Sequence, residues 1–186
     1  MFDEGVDPGM ASSRPKSAKS FDFPDQPPFD APNYLLHLLA AISRYRDVEL
    51  DLALAPINLT VARYRALNAI VIFEPCLMGE LAEFIGVDRT TITRTVDQLV
   101  AAEMVERRTP ASDRRQVELS TTEAGKLTVS QARPIVFELN KRVLEGVPDQ
   151  VQRTVIRAEQ RMFANLAIEP RAIERMLGFR RPAGGE

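Results

Sequence analysis

A pair of short amphipathic segments near the middle of the chain constrains the fold more than any other feature. Apolar residues recur at helical spacing over about 79–85 and again over about 88–102. Gly86 is a residue type that ends helices, and Asp88 is a strong N-cap, so one helix stops and the next starts within three residues. Two short helices joined by so tight a turn are typical of a helix-turn-helix, which we therefore predict here.

A β-hairpin is predicted directly after this helix pair. Residues 104–109 and 115–120 are the predicted strands, because their valines and leucine alternate with polar neighbours. The segment 110–114 between them is rich in turn-forming residues and should form the tip. The predicted fold class is therefore mainly α with a small β-hairpin wing, a winged helix-turn-helix flanked by terminal helices.

Two helices are predicted before the helix-turn-helix. A long amphipathic helix should run from about 33 to 53 with Asn33 as its cap, and a second should start at Thr60 and end before Pro75. Residues 1–32 hold six of the thirteen prolines and few aliphatic residues, so we expect a disordered tail there.

Two long helices are predicted after the hairpin. Ser120 and Glu123 have the spacing of a capping box, and they should open a helix that continues to about 145. Pro134 lies inside this helix and is expected to kink or break it. The rest of the chain is predicted as a helix over 148–167, a short helix over 170–177 and a flexible tail over 179–186.

The outward face of the helix over 88–102 holds side chains suited to DNA. At about 100° per residue, Arg94 points away from Ile92, Val96 and Leu99, which are predicted to face the core. Arginine can donate two hydrogen bonds to a guanine, and threonine hydroxyls can contact phosphates or bases. The alternative interpretation is an ordinary surface helix with a capped start.

Positive charge is concentrated in residues 107–116, which contain four arginines and one aspartate. Arg114 lies in the predicted tip of the hairpin and Arg115 directly after it, and arginine side chains can enter the narrow, electronegative minor groove of DNA. Asp113 is placed to hold the side chain of Arg115 in one orientation. The alternative interpretation is a solvated, charged turn.

Several other classes of function are disfavoured. The net charge of −2 does not by itself indicate a nucleic-acid binder, so the distribution of charge matters more than its sum. A single cysteine, Cys76, excludes an intramolecular disulfide, and the composition supports neither a metal site nor a cofactor. We find no catalytic motif and expect no enzyme. The chain lacks an apolar run of membrane-spanning length and a secretory signal, so we expect a cytoplasmic protein without membrane contact.

The central residues resemble the MarR (multiple antibiotic resistance regulator) family of winged helix-turn-helix transcription regulators. Residues 81–99, LAEFIGVDRTTITRTVDQL, are similar to its helix-turn-helix. MVERR at 104–108, DRR at 113–115 and TEAG at 122–125 are similar to its wing and the start of its next helix. Leu59-Thr60 with YRAL at 64–67 resembles its second helix. Two departures stand out, namely Thr121, where the family usually has leucine, and Met78-Gly79, which replace a polar helix start.

The resemblance implies a homodimer held together by the terminal helices, in which each subunit places one recognition helix and one wing on DNA. The residues implied to contact DNA are Arg89, Thr90, Thr91, Thr93, Arg94, Asp113, Arg114 and Arg115. The implied organisation is a single domain over 33–178, with dimerisation helices at 33–56 and 123–168 and a winged lobe at 60–120.

The function implied by the resemblance is sequence-specific binding to a palindromic operator in double-stranded DNA. Many members of the family are repressors released by a small-molecule effector, often an aromatic acid, and the same is implied here. Two alternatives stay open. One is a winged-helix dimer that acts as a protein-interaction module, and the other is a repressor that senses oxidants through Cys76.

Overall fold

The computed structural model describes residues 30–110 and 116–166. The chain divides into two compact units, 1–38 and 39–186, and the boundary falls within the first helix. The elements in chain order are α1 Ala31–Leu54, a 3-10 turn Ala55–Ile57, α2 Val61–Phe73, β1 Cys76–Leu77, α3 Met78–Ile85, α4 Arg89–Ala101, β2 Val105–Arg108, β3 Glu118–Thr121, α5 Glu123–Val143 and α6 Asp149–Leu166. The predicted fold class, mainly α with a small β wing, is confirmed.

The first helix begins earlier than predicted. It starts at Ala31, and Asn33 is a hydrogen-bond donor in its first turn rather than its cap. The backbone N–H and the side-chain amide of Asn33 donate to the Asp30 carboxylate at 3.1 and 2.8 Å. Most of the predicted N-terminal tail, residues 1–29, lies outside the described residues, as do the predicted helix at 170–177 and the C-terminal tail.

Helices α2 and α3 start or stop at the predicted capping residues. Thr60 caps α2 by accepting a hydrogen bond from the Arg63 N–H at 3.3 Å, and α2 ends at Phe73 before Pro75. Gly86 follows α3 with φ +74°, a left-handed conformation that glycine adopts at little cost, and its N–H donates to the Ala82 carbonyl at 3.0 Å. The turn between α3 and α4 is therefore built from local hydrogen bonds.

The wing belongs to a three-stranded antiparallel sheet in the order β1-β3-β2, so the prediction of two strands was incomplete. The additional strand pairs Cys76 with Leu119 and Leu77 with Glu118. The N–H and hydroxyl of Thr121 both donate to the Glu74 carboxylate at 3.0 Å. This side chain, two residues before β1, thus bonds to the end of β3 where the backbone pairing with β1 has stopped. The buried hydroxyl of Thr121 is thereby satisfied.

The start of α5 also differs from the prediction. Ser120 lies within β3, and Thr122 caps the helix, with its hydroxyl oxygen accepting from the Gly125 N–H at 3.0 Å. The helix continues through Pro134, so of the predicted kink or break the break was wrong. Pro134 and Ser130 are both exposed, and solvent can satisfy the Ser130 carbonyl that would otherwise accept from the residue at 134.

Buried side chains form two apolar clusters. The lobe core contains residues of α2, α3, α4 and the sheet together with Val129 of α5, including Leu67, Ile70, Leu81, Ile92, Val96, Leu99, Val105 and Leu119. The second cluster, the helix core, contains Leu50, Leu54, Leu59, Val61, Ala132, Val136 and Leu139. Because α5 contributes to both clusters, it connects the winged lobe to the C-terminal half of α1.

The first turn of α5 lies directly against the base of the wing. Thr122 donates from its N–H to the Met104 carbonyl at 3.1 Å and from its hydroxyl to the Glu103 carbonyl at 2.7 Å. A Cβ atom added at Gly125 would overlap the Met104 carbonyl oxygen. We call Glu103, Met104, Thr122 and Gly125 the helix–wing junction, and its close backbone contact requires glycine at 125.

No helix within 30–110 and 116–166 combines the length and apolar character needed to cross a membrane.

We predict that Gly125→Ala destabilises the protein, because the new methyl group has to displace backbone at the helix–wing junction. Overpacking of this kind costs about 1–3 kcal/mol. Gly79→Ala in α3 is the matched control, since a Cβ there meets no atom within 4 Å and alanine is the better helix former by about 0.5–1 kcal/mol. Urea unfolding followed by circular dichroism should show opposite shifts for the two variants, and equal shifts would contradict the assigned role of Gly125.

Candidate nucleic-acid interface

Asp88 organises the first turn of α4. Its carboxylate accepts hydrogen bonds from the N–H groups of Thr90 and Thr91, both at 2.9 Å, and from the Thr91 hydroxyl at 2.5 Å. The bond from the Thr91 side chain, followed by the backbone bonds, lowers the pKa of Asp88 below its ordinary value. The ionised carboxylate thus holds the start of the candidate recognition helix in one conformation.

The two faces of α4 are divided as predicted. Ile92, Val96 and Leu99 are buried in the lobe core. The opposite face is exposed and holds Thr90, Arg94, Asp97 and Gln98. Arg94 lies near the middle of this exposed face, where its guanidinium is accessible to a ligand.

The predicted threonines differ in what their hydroxyls can do. Those of Thr91 and Thr93 donate within the helix, to Asp88 at 2.5 Å and to the Arg89 carbonyl at 2.7 Å. With their protons so engaged, they can accept hydrogen bonds but not donate to phosphate oxygens. Arg89, Thr90 and Arg94, all with exposed side chains, are therefore the better placed donors of the predicted set.

The wing residues of the predicted set, Asp113, Arg114 and Arg115, lie outside the described part of the chain. The described part of the wing adds Arg107, which the prediction from sequence did not include. Its Nη2 atom lies 2.6 Å from Oδ1 of Asp97 on α4, and the two side chains are 33% and 53% exposed. The period-two spacing from the buried Val105 was the available signal, since it places Arg107 on the inner face of β2.

The connection from α4 to β2 is a compact helix C-cap. The Met104 N–H donates to the Leu99 carbonyl and the Glu103 N–H to the Val100 carbonyl, both at 2.9 Å. Glu103 adopts φ +56°, a left-handed conformation usually taken by glycine at this position of a Schellman motif. This turn sends the chain directly from the candidate recognition helix into the wing.

A second polar cluster lies among α1, α2 and α5. Burial raises the pKa of Tyr64, and the nearby guanidiniums of Arg133 and Arg46 partly oppose that rise. Arg46 also donates to the Asn140 side chain at 2.8 Å. Arg65 is engaged elsewhere, since its two terminal nitrogens contact the two Asp47 oxygens at 2.9 and 2.6 Å.

The remaining sites considered from sequence have little support. Cys76 is 1% exposed within β1 and the lobe core, so an oxidant reaches its thiol only if the lobe opens. Within the described ranges, no three His, Cys, Asp or Glu side chains are grouped as a metal site.

We predict that the stabilising effect of Asp88 depends on pH. Because its folded-state pKa lies below the ordinary 3.8, the ionised carboxylate stabilises the fold above pH 3.8, and that contribution is lost as the pH falls through the folded-state value. Asp88→Asn keeps a capping side chain but cannot ionise. Wild type should therefore melt at a higher temperature than this variant near neutral pH, with the difference shrinking below pH 3.8. A difference that stays constant in a thermal pH series would contradict this role.

Comparison with known proteins shows which family this part of the chain is similar to. The model of the MarR family matches residues 57–116, which contain α2, the helix-turn-helix and the first strand of the wing, β2. Three solved structures illustrate the shared fold. A MarR regulator from Methanosarcina mazei Go1 has a TM-score of 0.66 at 20% identity, covering 72% of this chain and 96% of that one. A MarR-family regulator from Silicibacter pomeroyi has a TM-score of 0.64 at 22% identity, covering 75% and 92%.

The third structure is a mutant of MarR from E. coli complexed with operator DNA. Its TM-score is 0.64 at 23% identity, and the alignment covers 72% of this chain and 99% of that one. These likenesses cover 72–75% of the chain and so extend beyond the residues of the family match. Residues 57–116 thus match the MarR-family model, and the chain has the fold of these MarR-family structures.

Proposed function

We propose that this protein is a cytoplasmic transcription regulator that binds a specific sequence of double-stranded DNA through α4 and the wing. The observation that carries the proposal is the exposed face of α4, where Thr90, Arg94 and Gln98 lie opposite a buried apolar face. Arginine and glutamine are the side chains that form paired hydrogen bonds with guanine and adenine in the major groove. A helix with this division of faces can lie in that groove while its core contacts stay intact.

The operator complex of a mutant of MarR from E. coli supports the proposal that this fold binds DNA. That protein has the fold of this chain and was solved with its operator DNA. By analogy, α4 enters the major groove and the wing contacts the neighbouring backbone or minor groove. Among the residues that the structure describes, the proposed DNA contacts are the donors Arg89, Thr90 and Arg94. Thr91 and Thr93 are proposed to accept hydrogen bonds. Asp113, Arg114 and Arg115 remain proposed contacts of the wing tip.

We also propose that the protein is a homodimer. One side of α1 packs into the helix core through Leu50 and Leu54, whereas the apolar side chains of its other side are exposed, namely Ile42, Tyr45, Val48 and Leu52. No residue of α6 within Asp149–Leu166 is buried, although the helix has a one-sided apolar face that includes Val151, Val155 and Leu166. Apolar faces of this extent favour burial against a second copy. A twofold dimer would present two α4 helices and bind a palindromic operator.

We predict that Val48→Glu weakens the dimer, because it places a charge in the middle of the exposed apolar side of α1. The wild-type protein should sediment with twice the chain mass of 20.8 kDa at micromolar concentration, and the variant should shift towards monomer. Ala62→Glu is the matched control, since it adds the same charge at an exposed position of the first turn of α2. A monomeric wild type would contradict the dimer and the paired half-sites together.

Repression relieved by a small-molecule effector is the proposed mode of regulation. The cluster of Tyr64, Arg46 and Arg133 offers an aromatic ring and two guanidiniums between the helices that flank the winged lobe. This combination suits an aromatic carboxylate, which could stack on the ring and pair with a cation. The test is to measure the affinity of the protein for its operator with and without added benzoate. Operator affinity that stays unchanged at millimolar benzoate would contradict an aromatic carboxylate effector.

We predict that Arg94→Ala loses operator binding and discrimination while the fold is retained. Operators are selected from a random DNA library with the wild-type protein, and affinity is measured by fluorescence anisotropy. Loss of one paired contact to a base costs about 1–3 kcal/mol, which is roughly 5- to 150-fold in affinity. Arg157→Ala, which removes the same charge from an exposed position of α6, is the matched control and should bind nearly as wild type.

The outcomes of this titration separate the proposed function from its alternatives. Loss with Arg94→Ala but not with Arg157→Ala supports recognition by α4. Equal binding by wild type and Arg94→Ala would contradict it. Failure of the wild type to select any DNA would favour a protein-interaction module. A role for Cys76 would require that peroxide changes DNA affinity and that Cys76→Ser abolishes the change. The burial of Cys76 makes its thiol an unfavourable site for an oxidant sensor.

A further inference from the structure

An acidic side chain lies on the surface proposed to face DNA. Asp97 is one turn beyond Arg94 on the exposed face of α4, and its side chain is 53% exposed. Phosphates repel a carboxylate in this position, and the repulsion is felt over about 8–10 Å at ordinary salt. Charge alone therefore predicts that Asp97 weakens DNA binding and that its removal strengthens it.

The partner of this carboxylate comes from the wing. Arg107 stands opposite Leu119 in the β2–β3 ladder and two residues after Val105, so it projects from the same face of the sheet as these two buried residues. That face is turned towards the lobe core, and Arg107 reaches Asp97 with an Nη2–Oδ1 distance of 2.6 Å. The neighbouring side chains, Glu106 and Arg108, project from the opposite face and are exposed.

The ion pair ties two elements whose relative position matters for DNA binding. Helix α4 and strand β2 are connected by a turn of three residues, 102–104, and the apolar contact of Val105 with the lobe core lies at the start of β2. Further along β2, towards the wing tip, Arg107 provides a direct polar contact to α4. Strand β2 is also paired with β3 along its length, and the ion pair adds a direct contact between β2 and α4 to that ladder.

We propose that Asp97 is a positioning residue for DNA recognition, an inference that rests on the proposed function. Its carboxylate holds Arg107 and so keeps β2 at a fixed distance from α4. Helix and wing then reach their separate contacts on the DNA at the same time, without a further ordering step on binding. The benefit of this fixed geometry exceeds the repulsion between Asp97 and the phosphates.

The two effects of Asp97 have opposite signs, which makes the proposal testable by Asp97→Asn. This variant removes the charge and the ion pair but keeps the size of the side chain. The positioning role predicts weaker operator binding by about tenfold, although the protein becomes more positive. Binding to unrelated DNA, which depends mainly on charge, should be unchanged or slightly tighter.

The matched control is Glu106→Gln on the same strand. It removes the same charge one residue from Arg107, from the exposed face that does not contact α4. It should therefore show the effect of charge alone, which is equal or tighter binding to both operator and unrelated DNA. The double variant Asp97→Asn with Arg107→Gln should bind operator no more weakly than Arg107→Gln alone, because the pair acts as a unit.

Asp97→Glu provides a second variant that keeps the charge. The additional methylene displaces Arg107, so the positioning role predicts weaker operator binding, whereas charge alone predicts no change. Thermal unfolding confirms that each variant is folded. Hydrogen exchange at residues 105–108 should be faster in Asp97→Asn than in Glu106→Gln, because β2 has lost its contact with α4.

Three results would overturn the proposal. The first is operator binding by Asp97→Asn as tight as that of Glu106→Gln, and the second is unchanged binding by Asp97→Glu. The third is equal hydrogen exchange in β2 for Asp97→Asn and Glu106→Gln. Failure of the proposed function looks different, since wild type and every variant would then fail to bind DNA.

Discussion

The contact between the first turn of α5 and the base of the wing determines how the remaining elements are arranged. The Met104 carbonyl accepts from the Thr122 N–H and lies so close to Gly125 that no side chain fits between them. The Thr122 hydroxyl joins both sides, because it donates to the Glu103 carbonyl and accepts from the Gly125 N–H. Since α5 contributes to the lobe core and to the helix core, this contact sets the winged lobe relative to the helices that flank it.

The distribution of paired and exposed charge explains how an acidic chain can have a surface suited to DNA. Ion pairs among α1, α2 and α5 engage Arg65 with Asp47 and Arg142 with Glu49. On α4, by contrast, the exposed cation Arg94 lies next to a carboxylate whose charge is balanced by Arg107. The net charge of −2 is therefore a poor guide to the local potential at α4, which depends on which cations have an acidic partner.

The first helix has two apolar sides with different surroundings. Leu50 and Leu54 are buried against α5, while Val48 and Leu52, on the other side, are exposed. A helix that serves one core in a single chain needs only one such side. The second side, together with an α6 that buries no residue, supports the proposed association of two copies. On this view the chain contributes only half of the surface that binds an operator.

Local signals in the sequence determined the helix-turn-helix. Thr60, Gly86 and Asp88 act through hydrogen bonds to residues at most four positions away, and all three have the predicted roles. The division of α4 into a buried and an exposed face was equally predictable, because helical periodicity alone sets it. The candidate residues Thr90 and Arg94 were identified in this way, whereas Arg89 was implied by the resemblance.

Tertiary structure decided what depends on partners distant in sequence. Strand β1 is two residues long and exists because it pairs with β3, more than forty residues later. Ser120 had the spacing of a cap, yet β3 continues through it, and Thr122 caps α5 instead. The ion pair of Asp97 with Arg107 likewise required the wing to fold back on α4. Hydrogen bonds within one helical turn can be predicted from residue spacing, whereas these pairings form only when the chain folds back on itself. The reason is that hydrogen bonds and ion pairs stabilise a structure only when the two groups are in contact.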